Sequence, residues 1–296
     1  MSLHHHILAA TYYPIKLAKA IGRPLGLIHE NQLRVLLYHD IDPRDQANFA
    51  AQMRWLQRSW NFVSAEQFAD MVSGHEPIRG RNLLLAFDDG FASNRVVAEE
   101  VLNPMGIKAL FFVMSYFVDL EDVDEVRHFI AKNIYPGTHA AGLPAHWRTM
   151  GWADLEALLQ QGHSIGGHTR THARLSQIKN EPDLEREIIA SADALEQRLG
   201  VPIEHFAYTF GDLASFSDQA LAVARRRFRF IYSGLRGDNV GGVSPYALRR
   251  DSAAFQDAFS NYSVFSNSLL GAFLEGAADF KYADDIARLS SWARQI

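Results

Sequence analysis

The 296-residue sequence predicts an α/β fold built on a largely parallel sheet. Three observations predict it. Short, almost wholly apolar runs alternate with amphipathic stretches of helical spacing. Pro and Gly fall at the ends of those stretches. No repeat, low-complexity tract or Gly/Ser linker divides the chain, and α/β barrels use this length as a single unit. Hydrophobic residues make up 48% and charged residues 21% of the chain, an ordinary globular composition.

The elements follow in order. Residues Ile7 to Ile21 form an amphipathic pattern carrying Tyr12, Tyr13 and two lysines, for a helix that packs on the domain or touches a membrane surface. LRVLLY, from Leu33 to Tyr38, reads as the first strand. Phe49, Met53, Leu56 and Trp60 then recur at helical spacing. Ser64 and Gln67 make a capping box for a helix through Val72. LLLAF, Leu83 to Phe87, reads as a strand buried on both faces. A helix from Asn94 to Met105 stops at Gly106, and ALFFVM, Ala109 to Met114, is the next strand.

Ser115 to Met150 is irregular, with one short helix and a loop rich in Pro, Gly and His. Gly151 to Asp154 opens a helix ending near Gly162, and HSIGG leads to Gly167 as a short strand. A charged helix runs from Asp183 to Leu199 and stops at Gly200. Phe206 to Tyr208 is a strand, Ser217 caps a helix through Arg226, and Phe228 to Ser233 is a strand. After Asp251 the pattern is mostly helical. The division this suggests is a helical extension over residues 1–30, a main domain over 31–255 and a second helical extension over 256–296 packed on it.

Composition excludes several functions. The chain has no cysteine, which rules out disulfides, thiolate–zinc sites and a thiol nucleophile. Its formal charge of −5 gives no general attraction to nucleic acid. The basic cluster of Arg225, Arg226, Arg227 and Arg229 reads as a solvated helix end rather than a phosphate site. No apolar run reaches the ~18 residues of a spanning helix. The N-terminus lacks a signal-peptide layout, so a cytoplasmic location is expected, with peripheral membrane contact through the first helix as the alternative to its packing on the domain. His4, His5 and His6 are set aside from site reasoning, as a run that short is ambiguous with a tag.

The informative feature is where polar residues fall. His39 and Asp40 follow LRVLLY, Asp88-Asp89-Gly90 follows LLLAF, His168 follows HSIGG, and Thr209-Phe210-Gly211 follows FAY. In a barrel of parallel strands the C-terminal strand ends meet on one face, which carries the chemistry. Each position alone also has a structural reading, as a helix cap, a turn former or a satisfied histidine. His168 and His172, four apart, can converge on one ion or decorate a surface. Together with one Asp they supply the three protein ligands of an open catalytic metal site. A second, adjacent Asp is then free to take a proton from water.

FDDG at Phe87–Gly90, GHSIGGHTRTH at Gly162–His172 and FAYTFG at Phe206–Gly211, with GWADLEALLQQ leading into the second, resemble the polysaccharide deacetylases of NodB homology, carbohydrate esterase family four. The resemblance covers roughly Leu33 to Asp251. It implies a distorted (β/α) barrel with extra helices at both termini, and a hydrolase that removes an N-acetyl or similar acyl group from an amino sugar. It places the catalytic base on Asp88 and metal ligation on Asp89, His168 and His172. YHDI at Tyr38–Ile41, ahead of the acidic motif, resembles the circularly permuted members such as biofilm poly-N-acetylglucosamine deacetylases, and assigns the general acid to His39.

The family's third motif carries an Arg and a Pro where this chain has Ala207 and Thr209. The Phe210 N–H remains an oxyanion donor, since a main-chain group does not depend on the side chain. Arg250, with Arg249 as second choice, is the candidate for the arginine that orients the base, the alternative being a surface arginine pair. The implied cofactor is a divalent metal, zinc first, with cobalt, nickel or iron as alternatives. The implied partner is an acetylated amino-sugar glycan or glycan precursor. Trp147, Trp152 and Tyr208, with Tyr135, read either as sugar-stacking aromatics or as packing. A deformylase of a lipid-linked amino sugar is the second reading, and a catalytically retired sugar-binding protein the third. A glycosidase leaves the histidine pair unexplained.

Overall fold

The computed structural model describes residues 3–22, 31–253 and 265–295. The expected boundaries at residues 30 and 255, and the first part of the helical region expected after Asp251, lie outside the described residues. In chain order the elements are α1 (Leu3–Gly22), β1 (Gln32–Tyr38), α2 (Gln46–Leu56), β2 (Asn61–Val63), α3 (Ala65–Ser73) and β3 (Arg81–Phe87). Then come α4 (Ala92–Val97), β4 (Ala109–Val113), α5 (Ser115–Val118), α6 (Val123–Phe129), α7 (Trp152–Gln160), β5 (Ser164–Gly167) and α8 (Glu181–Leu199). The chain ends with β6 (His205–Ala207), α9 (Asp218–Arg225), β7 (Phe230–Tyr232), β8 (Asp251–Ser252), α10 (Asn267–Leu274) and α11 (Ala283–Gln295).

The strands form one sheet in the order β7-β6-β5-β4-β3-β1-β8, with β2 also paired to β3, and all named pairings are parallel. The apolar runs read as strands are wholly buried because both faces of the sheet are covered. Alternation sorts their side chains into two cores. Leu33, Val35, Leu84, Ala86, Leu110, Phe112 and Tyr232 fill the inside of the curled sheet. Leu36, Tyr38, Leu85, Phe87 and Phe111 face the surrounding helices. The architecture is the distorted (β/α) barrel that the sequence implied.

The barrel nearly closes through a segment that the sequence did not mark. Leu248 bridges Tyr232 on one side, and Asp251–Ser252 pair with Leu36–Leu37 on the other. A strand therefore stands where the helical reading was expected to begin. Two-residue pairing is too short to show a period in sequence. The helix expected to reach Trp60 instead ends at Leu56. Trp60 turns under the Arg81 guanidinium, 4.1 Å from its ring, ahead of the short strand β2.

Local signals hold elsewhere. Gln67 N donates to Ser64 Oγ, and Ser64 N donates to Gln67 Oε1, completing the capping box. Gly200 ends α8 in the left-handed conformation at φ 68°. Arg226 pairs with Glu181 and Glu185, and Arg227 with Asp193 and Glu196, so α8 neutralises these two, while Arg229 pairs with Glu204.

A buried ion network fastens β8. Arg34 Nη1 lies 3.0 Å from Asp251 Oδ2, and its Nη2 lies 2.6 Å from Asp279 Oδ2. Arg236 Nη1 lies 3.5 Å from Asp251 Oδ1, and its Nη2 donates to the Ser252 carbonyl at 2.5 Å. Outside the barrel, α1 packs on α10, with Tyr12 against Gly271 and Lys19 paired to Glu275 at 2.7 Å. Among the described residues no helix is long and apolar enough to cross a membrane.

Candidate active site

Strand parity delivers the first carboxylate. Leu84, Ala86 and then Asp88 point to the barrel interior, and Asp88 N extends the ladder by donating to the Tyr38 carbonyl at 3.0 Å. The chain then turns through Asp89 and Gly90, both left-handed, at φ 73° and 79°. That turn brings Asp89 to the same cleft as its neighbour. Four non-glycine residues among those described have positive φ, and they are Asp89, Thr169, His172 and Phe210. Such strain costs roughly 1–3 kcal/mol per residue and gathers where surrounding contacts impose it.

The cleft has a volume of about 230 Å³. Its polar lining comprises His39, Asp88, Asp89, His168, His172, Arg250 and Ser252, and its apolar wall includes Leu37, Ile134, Tyr135 and Phe210. Asp89, His168 and His172 are all buried, with one donor atom each lying within 4.8 Å of the others. His168 Nε2 and His172 Nε2 each lie 3.4 Å from Asp89 Oδ1.

The histidine tautomers follow from their other nitrogens. His168 Nδ1 lies 2.6 Å from the Ala207 carbonyl, and His172 Nδ1 lies 2.8 Å from the Asn133 carbonyl. A carbonyl only accepts, so each Nδ1 carries the proton and donates it. In the neutral rings both Nε2 lone pairs then face the Asp89 carboxylate. Asp89 Oδ1 is buried without a hydrogen-bond partner. Three lone pairs turned toward one point call for a cation. Outer carbonyls that fix ligand histidines in this way are typical of metal sites. A proton on the rings is the other way to satisfy that oxygen. Burial opposes charge on Asp89, yet His168 and His172 hold its carboxyl well below the usual range. Burial likewise opposes the His168 imidazolium, and Asp88 and Asp89 outweigh it to raise its pKa.

Asp88 is held differently. Arg250 Nη1 donates to Asp88 Oδ1 at 2.7 Å, and its Nε donates to the Ser233 carbonyl at 2.7 Å. The closing segment explains why Arg250 arrives and Arg249 does not. Neighbouring residues point to opposite faces, and Arg249 instead donates to the Asp238 carbonyl at 2.8 Å. Asp88 Oδ2 is left 3.9 Å from His168 Nε2.

The histidine loop has supports that sequence reasoning missed. Glu187 Oε2 accepts the N–H groups of Arg170 and Thr171, and its Oε1 accepts the Thr171 hydroxyl at 2.8 Å. One turn along α8, Ser191 Oγ donates to the Thr169 carbonyl at 2.9 Å. The i,i+4 spacing of Glu187 and Ser191 was the available signal. The Thr209 hydroxyl, where the family has Pro, donates to the Ala173 carbonyl at 2.6 Å and ties the third motif to the same loop. Nothing in sequence marks the Asn133 carbonyl, because main-chain groups carry no residue signature.

His39 lines the cleft, and its carbonyl accepts from Asn94 Nδ2 at 2.6 Å. Asp40 is instead an anchor. It accepts from Ser93 Oγ at 2.6 Å, and both His146 Nε2 and Trp147 Nε1 lie 2.9 Å from its Oδ2. Trp147 is therefore 1% exposed and stacks on Tyr135 at 5.0 Å, outside the cleft lining. Tyr208 is equally buried, stacked on Phe216 at 4.1 Å. Trp152 donates to Asp119 Oδ1 at 2.9 Å and also lies outside the lining. None of the three meets the expectation of a sugar-facing ring. Phe210 takes that place at the cleft, 38% exposed, with its ring 4.7 Å from His172 and capped by Arg174 at 4.1 Å.

Paired carboxylates and two histidines at the C-terminal strand ends of a barrel define a hydrolase-type site. The chain belongs to the polysaccharide deacetylase family, whose model matches residues 75–227, and so is a carbohydrate deacetylase. That stretch holds Asp88, Asp89, His168, His172 and Phe210, while His39 and Arg250 lie outside it. No curated protein matches the chain. Among solved structures, IcaB from Ammonifex degensii is similar at 22% identity and a TM-score of 0.62, over 83% of this chain and 98% of that one. Deacetylase PplD from Streptococcus pyogenes, solved with acetate, is similar at 20% identity and a TM-score of 0.59, over 76% and 93%. The BpsB deacetylase domain from Bordetella bronchiseptica follows at 19% and 0.58, over 76% and 96%. At these identities the likeness is one of fold.

Proposed function

We propose that this deacetylase is metal-dependent and removes an N-acetyl group from an amino sugar of a polysaccharide or glycan precursor. The observation that carries it is the Asp89–His168–His172 cluster, with both Nδ1–H groups spent on carbonyls and Asp89 Oδ1 left buried and unbonded. Those three residues would hold a divalent ion, zinc first. Its chemistry is Lewis acidity, polarising the acyl oxygen and lowering the pKa of a water toward about 7.

The chain's own groups do the rest. Asp88 takes a proton from the attacking water, with Arg250 holding its Oδ1 so that Oδ2 faces the cleft. The Phe210 N–H donates to the oxygen that gains negative charge. His39 donates a proton to the sugar nitrogen as its bond to the acyl carbon breaks. Water and amide thus become a carboxylate and a free amine. The Phe210 ring gives the sugar an apolar surface beside the reacting group.

The test combines metal analysis of the purified protein with acetate release from short N-acetylglucosamine oligomers. The expected result is stoichiometric metal, and acetate release that chelation abolishes and metal restores. Activity that survives complete metal removal sinks the proposal.

A further inference from the structure

Half of the large hydrophobic side chains that stand exposed among the described residues lie on one helix. Leu3, Ile7, Tyr13, Leu17 and Ile21 of α1 are 57–78% exposed, against five others scattered over the rest of the protein. Ala10 and Pro14 are exposed between them. The positions 3, 7, 10, 14, 17 and 21 alternate steps of four and three, which sets them in one stripe along the helix. The opposite face is already used, with Tyr12 buried against Gly271 and Leu8 and Ala9 packed on Leu269, Phe273 and Ala278. An exposed apolar stripe of this length marks an interaction surface rather than ordinary surface scatter.

Charge identifies the occupant. Three of the 29 Lys and Arg residues and none of the 34 Asp and Glu residues precede Glu30, in a chain that is acidic overall. The neighbouring helix α2, reached by the contact of Tyr12 with Trp55 at 5.9 Å, also has no acidic residue. It adds Arg54, and Arg58 follows just beyond its end, both exposed. Lys16 is exposed on α1 itself, and Arg54 adjoins Trp55, the residue that meets Tyr12. Tyr13 stands at the edge of the apolar stripe, a residue type that favours the headgroup level. Pro14 argues against a dry helix–helix seam. It offers no N–H to the Ala10 carbonyl, and the hydrated headgroup zone supplies water to that group where a packed protein partner does not.

We propose that the outer face of α1 docks on an anionic lipid bilayer, lying in the interface and not crossing it. This reading stands apart from the metal and substrate assignments, since it uses no residue of the cleft.

The experiment is co-sedimentation of the full chain with phosphatidylcholine vesicles, with and without phosphatidylglycerol, at low and high salt. The wild type is expected to bind the anionic vesicles, with affinity falling about tenfold in neutral vesicles or high salt, where the attraction of basic residues to the surface is lost or screened. Ile7→Glu with Leu17→Glu is expected to abolish binding. Circular dichroism and acetate release from a soluble oligomer are expected to stay at wild-type level, showing that the fold is intact. Three outcomes overturn the proposal. They are no binding by the wild type, equal binding by the variant, and a lipid-free dimer of the wild type that the variant turns into a monomer.

Discussion

Two buried charge clusters sit in one barrel and follow opposite rules. Around β8, Asp251 meets Arg34 and Arg236, Asp279 meets Arg34, and Arg34 Nε faces Asp238 Oδ2 at 3.8 Å. At the strand ends, Asp89 has an oxygen with no hydrogen-bond donor, and the nearest nitrogens have already given their protons to carbonyls. Burial does not separate the two, since Asp251 is 0% and Asp89 1% exposed. Donor supply does. The β8 carboxylates face arginine N–H groups, with Arg34 Nε alone left without a hydrogen-bond partner, whereas Asp89 Oδ1 faces only lone pairs. A cluster whose carboxylates are matched by donors fastens chain segments, whereas one that keeps open valence under strain is poised for a ligand.

The largest effect expected is at the open cluster. His168→Ala removes a ligand, and acetate release should fall by more than the ~10²–10⁴ that one acid–base group contributes. Metal content should fall with it. Asp88→Asn should lower turnover by about 10²–10⁴ while metal content, read by elemental analysis, stays. Loss of metal in that variant would make Asp88 a ligand and redraw the cluster.

At the matched cluster the same operation should strike stability. Arg34→Met leaves Asp251 buried with less compensation and should cost about 3–5 kcal/mol in denaturant unfolding. Adding Asp251→Asn should recover part of that loss, and failure to do so would mean that the network is not the fastening. Glu187→Ala lies between the two cases. It releases the loop that carries His168 and His172, and should weaken metal binding by about 10–100-fold in a chelator competition. Glu187→Gln keeps an acceptor for both N–H groups and should remain near wild type. If Glu187→Ala lowers only the melting temperature, the loop is held by its other contacts.

The smallest effect expected concerns His146, which ties the 115–150 region to Asp40. The Asp40 hydrogen bond raises the pKa of His146 against the opposing effect of burial. The stabilising contribution is then complete below the ordinary histidine value and disappears as pH rises through the folded-state pKa. His146→Ala should therefore lower the melting temperature more at about pH 5 than at about pH 9, by circular dichroism. A deficit that does not change with pH would show that the contact is packing rather than charge.

Much of this was legible in sequence, for identifiable reasons. Parallel strands buried on both faces must be continuously apolar, so LRVLLY, LLLAF and ALFFV announced β1, β3 and β4. The polar residues directly after such runs can only lie at the C-terminal strand ends, which is why Asp88, Asp89 and His168 could be set on one face. Aromatic residues carry no comparable mark. Trp147 and Tyr208 look the same in sequence whether they line a cleft or fill a core, and the 115–150 region and the turn after β6 buried them.

Residue order and periodicity therefore settled the long strands, the helix caps and the polar residue types at the strand ends, because those depend on neighbours a few positions away. Folding in three dimensions settled the rest. Arg250 reaches Asp88, 162 positions away in the chain, because the two-residue strand that follows it pairs with β1. The histidines are oriented by carbonyls of Ala207 and Asn133, each 39 residues from its ring. Such partners meet only when the barrel closes, and backbone groups leave no trace in a sequence of side chains.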